Sequence, residues 1–233
     1  MPEANSCSNH PIIPDIAFLI ENARKNPPEP ILKDLLNEGE TVGLHGPQEA
    51  FKTFLTLQLA ESLATGKPLL GLWQVPRPRS LYYFETEMSN SALGRRCAEM
   101  FRHEPPPKRI RFADERRLKE FKKAPNLATK FDLLRKWVEE AQSDVLILDT
   151  CSPFFRGKQS PNDETAVGEF FDHLEALPVA AKFFVRHNHK PRIEDMTVGE
   201  GACRMRGSGQ FADVPDLLLE NGRTNELTRP NYP

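Results

Sequence analysis

The stretch GPQEAFKT sets Gly46, Lys52 and Thr53 in the register of a phosphate-binding loop, G-x-x-x-x-G-K-[ST]. In such a loop, backbone N–H groups at a helix N-terminus converge on an anion, and the helix dipole favours negative charge there. The lysine reaches the β- and γ-phosphates of a nucleoside triphosphate, and the hydroxyl holds a magnesium ion. Lys52 and Thr53 fill those two roles, while Gly46, Pro47, Gln48, Glu49, Ala50 and Phe51 form the cradle expected to bind ATP. Phe51 stands where the pattern has its second glycine, the residue that lets the backbone bend and approach phosphate closely. A bulky side chain there must point away or block. The expectation is that its ring turns back between the loop's helix and the sheet while its N–H still faces phosphate.

Carboxylates follow at positions that suit a triphosphate and its metal. The apolar run VLILD ends in Asp149, which either shares a magnesium ion's water shell with Thr53 or merely caps a turn. In YYFETEMS, Glu85 and Glu87 lie two apart on a predicted strand and so face the same way. Glu87 is nearer the carboxyl end, where ligands of open α/β sheets bind, and is assigned as the base that positions the attacking water. Glu85 is read as its structural neighbour. In HNHK, His187 and His189 again share a face after the apolar run FFV. Two histidines at i, i+2 can ligate a metal, but no third ligand is near in sequence, and a polar sensor beside Asp149 fits better.

These residues need a scaffold of alternating strands and helices. TVGLHG reads as a β-rich run ending in glycine, and KTFLTLQLAESLA, from Lys52 to Ala64, as a helix with Phe54, Leu55, Leu57, Leu59, Ala60 and Leu63 largely on one face. SLYYFETEMS is strand-like, with Ser89 capping a helix through Met100. RIRFA reads as a short strand, Phe131 to Ala141 and Asp163 to Leu177 as helices, and SDVLILDT and AKFFVRHNH as strands buried on both faces. ILKDLL is a short helix candidate, and DLLLE-NG-RTNELTR reads as a C-terminal β-hairpin. The predicted class is α/β, a mostly parallel sheet with helices on both faces. Residues 1–30 end in the proline-rich KNPPEP and read as an arm or linker, with one domain over residues 31–233.

Composition narrows the alternatives. A chain of 233 residues, 39% hydrophobic and 27% charged, is ordinary globular composition rather than a disordered or fibrous one. No apolar run approaches the ~20 residues of a membrane span. PIIPDIAFLI is broken by Pro14 and Asp15 and lacks the basic start and cleavage site of a signal peptide, so the cytoplasm is the expected compartment. Cys7, Cys97, Cys151 and Cys203 lie far apart without a C-x-x-C, which argues against a zinc ribbon or a redox pair. The net charge is −2, yet residues 102–136 carry 12 Lys/Arg against 5 Asp/Glu. That segment is either a polyanion-binding surface or a solvated helical face.

Taken in order, GPQEAFKT, YFETEMS, VLILDT with SPFFRGKQSPNDE, RHNHK and RGSGQFADVPDLLLE resemble the motifs of the RepA-like branch of hexameric replicative helicases, within the RecA/DnaB superfamily of AAA-type ATPases. The resemblance runs from about Ile31 to the C-terminus, where TRPNYP looks like the family's closing strand. It implies a RecA-like P-loop core, ATP and magnesium as cofactors, and a ring, hexamer favoured, with each nucleotide between neighbours. By the same resemblance Glu87 is the catalytic base, Asp149 the magnesium-binding acid and His187 the γ-phosphate sensor. Arg206 and Arg229 match basic positions at the subunit interface, one of which would act in trans. The loops after Asp149 and Lys190 would line a channel for single-stranded DNA, with Phe154 and Phe155 for base stacking and Arg156, Lys158, Lys190, Arg192 and Arg204 for phosphates. Two departures stand out: Phe51 replaces a glycine, and Arg186 stands where relatives often carry a first histidine. The implied activity is an ATPase acting on single-stranded DNA in replication or recombination. The alternative is a non-motor ATP-dependent switch or scaffold with slow turnover and a protein partner.

Overall fold

A computed structural model describes residues 15–47, 51–155, 160–187 and 210–220. Helix α1 (Ile16–Lys25) comes first and buries none of its residues. A two-stranded antiparallel hairpin follows, β1 (Pro30–Leu32) with β2 (Leu36–Asn37), and then the strands and helices of the main layer. These are β3 (Thr41–Gly46), α2 (Lys52–Thr65), β4 (Leu81–Glu85), α3 (Asn90–Met100), β5 (Ile110–Phe112), α4 (Glu115–Lys123), α5 (Leu127–Glu140) and β6 (Val145–Asp149). After a 3-10 turn at Ser152–Phe155 come α6 (Glu164–Glu175), β7 (Ala181–His187), α7 (Gln210–Asp213) and β8 (Leu217–Glu220).

The main sheet has six strands in the order β5-β4-β6-β7-β3-β8, and every neighbouring pair is parallel. Parallel neighbours need crossovers, and here the helices supply them on both faces, as the continuous apolar runs of β4, β6 and β7 require. Period-two alternation sorts the side chains. Leu81, Tyr83, Val145, Ile147, Ala181 and Phe183 face α2 and α3. Tyr82, Phe84, Leu146, Leu148 and Phe184 face the other way, into a core of α4, α5, α6 and α7 dominated by phenylalanine.

The helix starts follow local chemistry. Ser89, Asp114, Asn126 and Asp163 accept backbone N–H bonds from Ala92, Arg117, Thr129 and Thr165, so α3, α4, α5 and α6 each begin at a side-chain cap. The ILKDLL segment is not a helix. It is divided between β1 and β2, with Asp34 at φ 62° turning the chain between them. Its apolar residues close a core layer from the hairpin instead, with Ile31, Leu32 and Leu36 all buried. DLLLE is a strand, but β8 runs parallel to β3. The Asn221-Gly222 turn and the rest of the expected hairpin lie outside the described residues. Helix α4 falls in the basic segment, and some of that segment's cations are structural. Arg117 pairs with Asp114 and Glu140, and the buried Lys130 donates to the carbonyls of Pro153 and Phe154. Among the described residues no helix is long and apolar enough to cross a membrane.

Phe170 on α6 meets the rings of Phe131, Phe154, Phe155, Phe171, Phe184 and Phe211. Edge-to-face contacts of this kind add to simple burial, and the site has no way to collapse without moving several rings. Phe170→Ala is expected to cost roughly 3–5 kcal/mol in urea unfolding, and Phe170→Leu distinctly less. A loss below about 1 kcal/mol would mean that the aromatic core is not the stabilising layer described here.

Candidate nucleotide site

The strand β3 ends at Gly46 and the helix α2 starts at Lys52, so the loop between them opens at the carboxyl edge of the sheet. Unlike α1, α3, α4, α5 and α6, α2 begins without a side-chain cap, because Phe51 has nothing to offer its N–H groups. Uncapped N–H groups at a helix start favour an anion. Lys52 is buried, and its ammonium donates to the carbonyls of Gly46 at 3.0 Å and Pro47 at 2.6 Å. Burial pushes its pKa down, and the negative charges of Asp149 and Glu87 partly oppose that.

Phe51 departs from its expected place. Its backbone takes the left-handed conformation, φ 56° and ψ 24°, that a glycine would take at this position. The ring is 69% exposed rather than folded against the sheet, and it leans on Phe54, 6.0 Å between centroids. Phe54 is exposed as well, under the guanidinium of Arg96, so it does not belong to the buried face of α2. The substitution thus keeps the backbone shape of the loop at the expense of local strain, and the side chain points away from the core. Gln48, Glu49 and Ala50 lie outside the described residues.

Alternation along β6 places Asp149 on the α2 face, 2% exposed. Tyr83 on β4 donates its hydroxyl to Asp149 Oδ2 at 2.7 Å, Thr56 on α2 donates to the same oxygen at 3.4 Å, and the Thr53 hydroxyl lies close by. Burial raises the Asp149 pKa, and the hydroxyls of Tyr83 and Thr53 pull against that rise. Thr53 and Asp149, far apart in sequence, are therefore neighbours at the site. A hydroxyl and a carboxylate together are hard oxygen donors of the kind magnesium takes, and a buried ammonium beside an uncapped helix start suits phosphate. ATP with magnesium fits the residues present.

Glu87 lies just beyond β4, not on it, since the strand ends at Glu85. The two glutamates therefore do not share a strand face. Glu87 Oε1 accepts from the Thr150 hydroxyl at 3.0 Å and lies 3.3 Å from His187 Nε2. The hydrogen bond from His187 lowers the Glu87 pKa most, burial opposes it, and Thr150 and Lys52 add to the lowering. His187 ends β7 directly beside Gly46 in the β3–β7 register, and its Nδ1 is buried without a partner among the described residues. Glu85 turns inward and is 5% exposed. Burial and then the neighbouring Asp149 charge raise its pKa to about 7.

The structure thus gathers Lys52, Thr53, Asp149, Glu87 and His187 at one edge of the sheet. Arg206, Arg229, His189, Arg156, Lys158, Lys190, Arg192 and Arg204 lie outside the described residues. Phe154 and Phe155, expected to stack on bases, are 0% and 7% exposed and belong to the aromatic core, so that role is withdrawn. Arg186, the departure beside His187, points to the opposite face, 4.0 Å from the Phe211 ring centroid. Tyr83, Thr56 and Thr150 were not singled out by motif. Tyr83 and Thr56 occupy inward positions of a strand and of a helix, where a hydroxyl in an apolar pattern is the only signal.

A parallel sheet with a phosphate loop after one inner strand and an acidic residue closing another defines a RecA-like P-loop ATPase fold. Residues 13–192 match the AAA domain family, and the chain belongs to that family. Comparison with curated proteins gives no match. Among solved structures, a KaiC-like protein from the hyperthermophilic archaeon Pyrococcus horikoshii is similar, with 15% identity and a TM-score of 0.47. The similarity covers 67% of this chain and 65% of that one, so the chain spans less than two thirds of that protein.

Two outcomes follow from this geometry. Phe51→Gly and Phe51→Ala both remove the ring, but only glycine relieves the left-handed strain, partly offset by its freer unfolded chain. The glycine variant should be the more stable of the two by up to about 1 kcal/mol in chemical denaturation. The reverse order would reject the left-handed assignment. For Glu85, a folded pKa above the ordinary 4.5 means a stability contribution present below that value and lost as pH rises through about 7. Thermal melting across this range should fall more steeply for the parent than for Glu85→Gln, and equal slopes would remove the raised pKa.

Proposed function

We propose that the protein is a magnesium-dependent ATPase of the RepA-like branch, working in the cytoplasm as a ring of identical subunits on single-stranded DNA in replication or recombination. One observation carries the hydrolytic part. Thr53 lies beside Asp149, and Glu87 is held by His187 and Thr150 at the same edge of the sheet where Lys52 opens the phosphate loop. The domain responsible would be residues 31–233, with residues 1–30 as an arm.

In this reading the Lys52 ammonium exchanges its carbonyl partners for phosphate oxygens. Thr53 and Asp149 would hold magnesium, which supplies charge neutralisation on the phosphates when bound. The Glu87 carboxylate, kept ionised by His187, orients the attacking water and takes its proton. His187, which contacts Glu87, suits a sensor, because a γ-phosphate would compete for the same imidazole. Arg206 and Arg229 are the candidates for completing the site from a neighbouring subunit. The DNA part now rests on the cations Arg156, Lys158, Lys190, Arg192 and Arg204 alone. Burial of Phe154 and Phe155 favours a second reading, a nucleotide-dependent switch with slow turnover and a protein partner.

Steady-state hydrolysis with magnesium, with and without single-stranded DNA, separates the two readings. Lys52→Ala should lower turnover at least ~100-fold, as loss of a preorganised charge at the phosphates does. An unchanged rate in that variant removes the phosphate-loop assignment. Stimulation by DNA supports the first reading, and Lys52-dependent turnover that ignores DNA supports the switch.

A further inference from the structure

Glu85 closes β4 with its side chain buried, and the chemistry proposed above makes no use of it. One oxygen, Oε1, accepts from the backbone N–H of Glu87 at 2.7 Å and of Met88 at 2.9 Å. Just before them, the Thr86 N–H donates to the Asp149 carbonyl at 2.9 Å. The backbone after β4 is thus tied at three successive N–H groups, the first by a main-chain carbonyl of β6 and the other two by the Glu85 side chain. This segment presents Glu87, whose side chain is half exposed and needs a fixed base to hold a water in line.

We propose that Glu85 is a positioning residue for hydrolysis, holding through Oε1 the turn that presents Glu87. The inference rests on Glu87 being the base. Only the acceptor at Oε1 is used, since Oε2 is buried with no partner among the described residues. A glutamine would keep the acceptor, and its amide nitrogen would take the place of an oxygen that bonds nothing described. Alanine would leave two N–H groups without their acceptor. Aspartate would keep the charge but fall a methylene short of them.

The test compares full-length Glu85→Gln, Glu85→Ala, Glu87→Gln and the double variant Glu85→Ala/Glu87→Gln. It reads kcat and KM for ATP with magnesium, and the affinity for a non-hydrolysable fluorescent ATP analogue. Glu85→Ala should lower kcat roughly 10- to 100-fold, the scale of a misplaced catalytic group, with analogue affinity within about threefold of the parent. Glu85→Gln should restore kcat to within about threefold. The double variant should be no slower than Glu87→Gln alone, as expected of two residues acting through one group.

Parental kcat in Glu85→Ala overturns the inference and leaves the Glu87 reading standing, provided that Glu87→Gln is inactive. Parental turnover in Glu87→Gln sinks the base assignment and this inference with it. A glutamine variant as slow as alanine with binding intact would make the Glu85 charge itself part of the chemistry, contrary to the proposal. An equal loss of kcat and analogue binding in Glu85→Ala would overturn it too. Should thermal melting show Glu85→Ala unfolded, Glu85→Asp takes its place with the same expected slowing, and parental kcat there is equally decisive.

Discussion

The carboxylate of Asp149 is the point on which the site depends. It is buried at the end of β6, bonded by Tyr83 from the adjacent strand and by Thr56 from the helix that follows the phosphate loop, with the Thr53 hydroxyl close by. A buried carboxylate without donors would be expelled or protonated, so these hydroxyls are what let it sit there. The same bonds fix α2 against the sheet, and with it the loop that begins the helix. The position of Lys52 relative to Glu87 and His187 thus follows from the satisfaction of one buried acid. Strand order does the rest, because β7 lies between β3 and β6 and delivers His187 into the gap between loop and acid.

Much of this was legible in the sequence because the governing physics is local. Continuous apolar runs are what a parallel strand buried on both faces requires, and β4, β6 and β7 each show one. Ser89 marks a helix start by its hydroxyl and caps as expected, while Asp163, read as the first residue of its helix, proves to be that helix's cap. The alternation of strand and helix then gives the class of fold. The gathering of Lys52, Thr53, Asp149, Glu87 and His187 follows from ligand sites lying at the carboxyl ends of such strands.

What failed to show was decided by neighbours distant in sequence. ILKDLL has the spacing of a helix turn, but its leucines are claimed by the core around α2, and Asp34 adopts a turn conformation that no periodicity announces. Phe154 and Phe155 look like loop aromatics because they follow a strand end, yet α5 and α6 supply the rings that bury them. Phe51 shows the converse. Sequence alone suggested a ring driven inward by its apolar nature, whereas the left-handed backbone of the loop decides its direction and leaves it in water. The role of Glu85 was hidden because two glutamates two apart read as one strand face, and the strand stops between them.

The last two residues of β7 face opposite ways. His187 reaches Glu87 on the α2 side, while Arg186 stacks over Phe211 and Phe155 on the other and lies against the thiol of Cys151. The strand tip therefore meets two environments at once, the polar edge through the imidazole and the aromatic core through the guanidinium. Of the two rings under Arg186, Phe155 ends the turn after Asp149 and Phe211 lies on α7. Two consecutive residues thus give the polar edge and the greasy side of the sheet a common stretch of backbone.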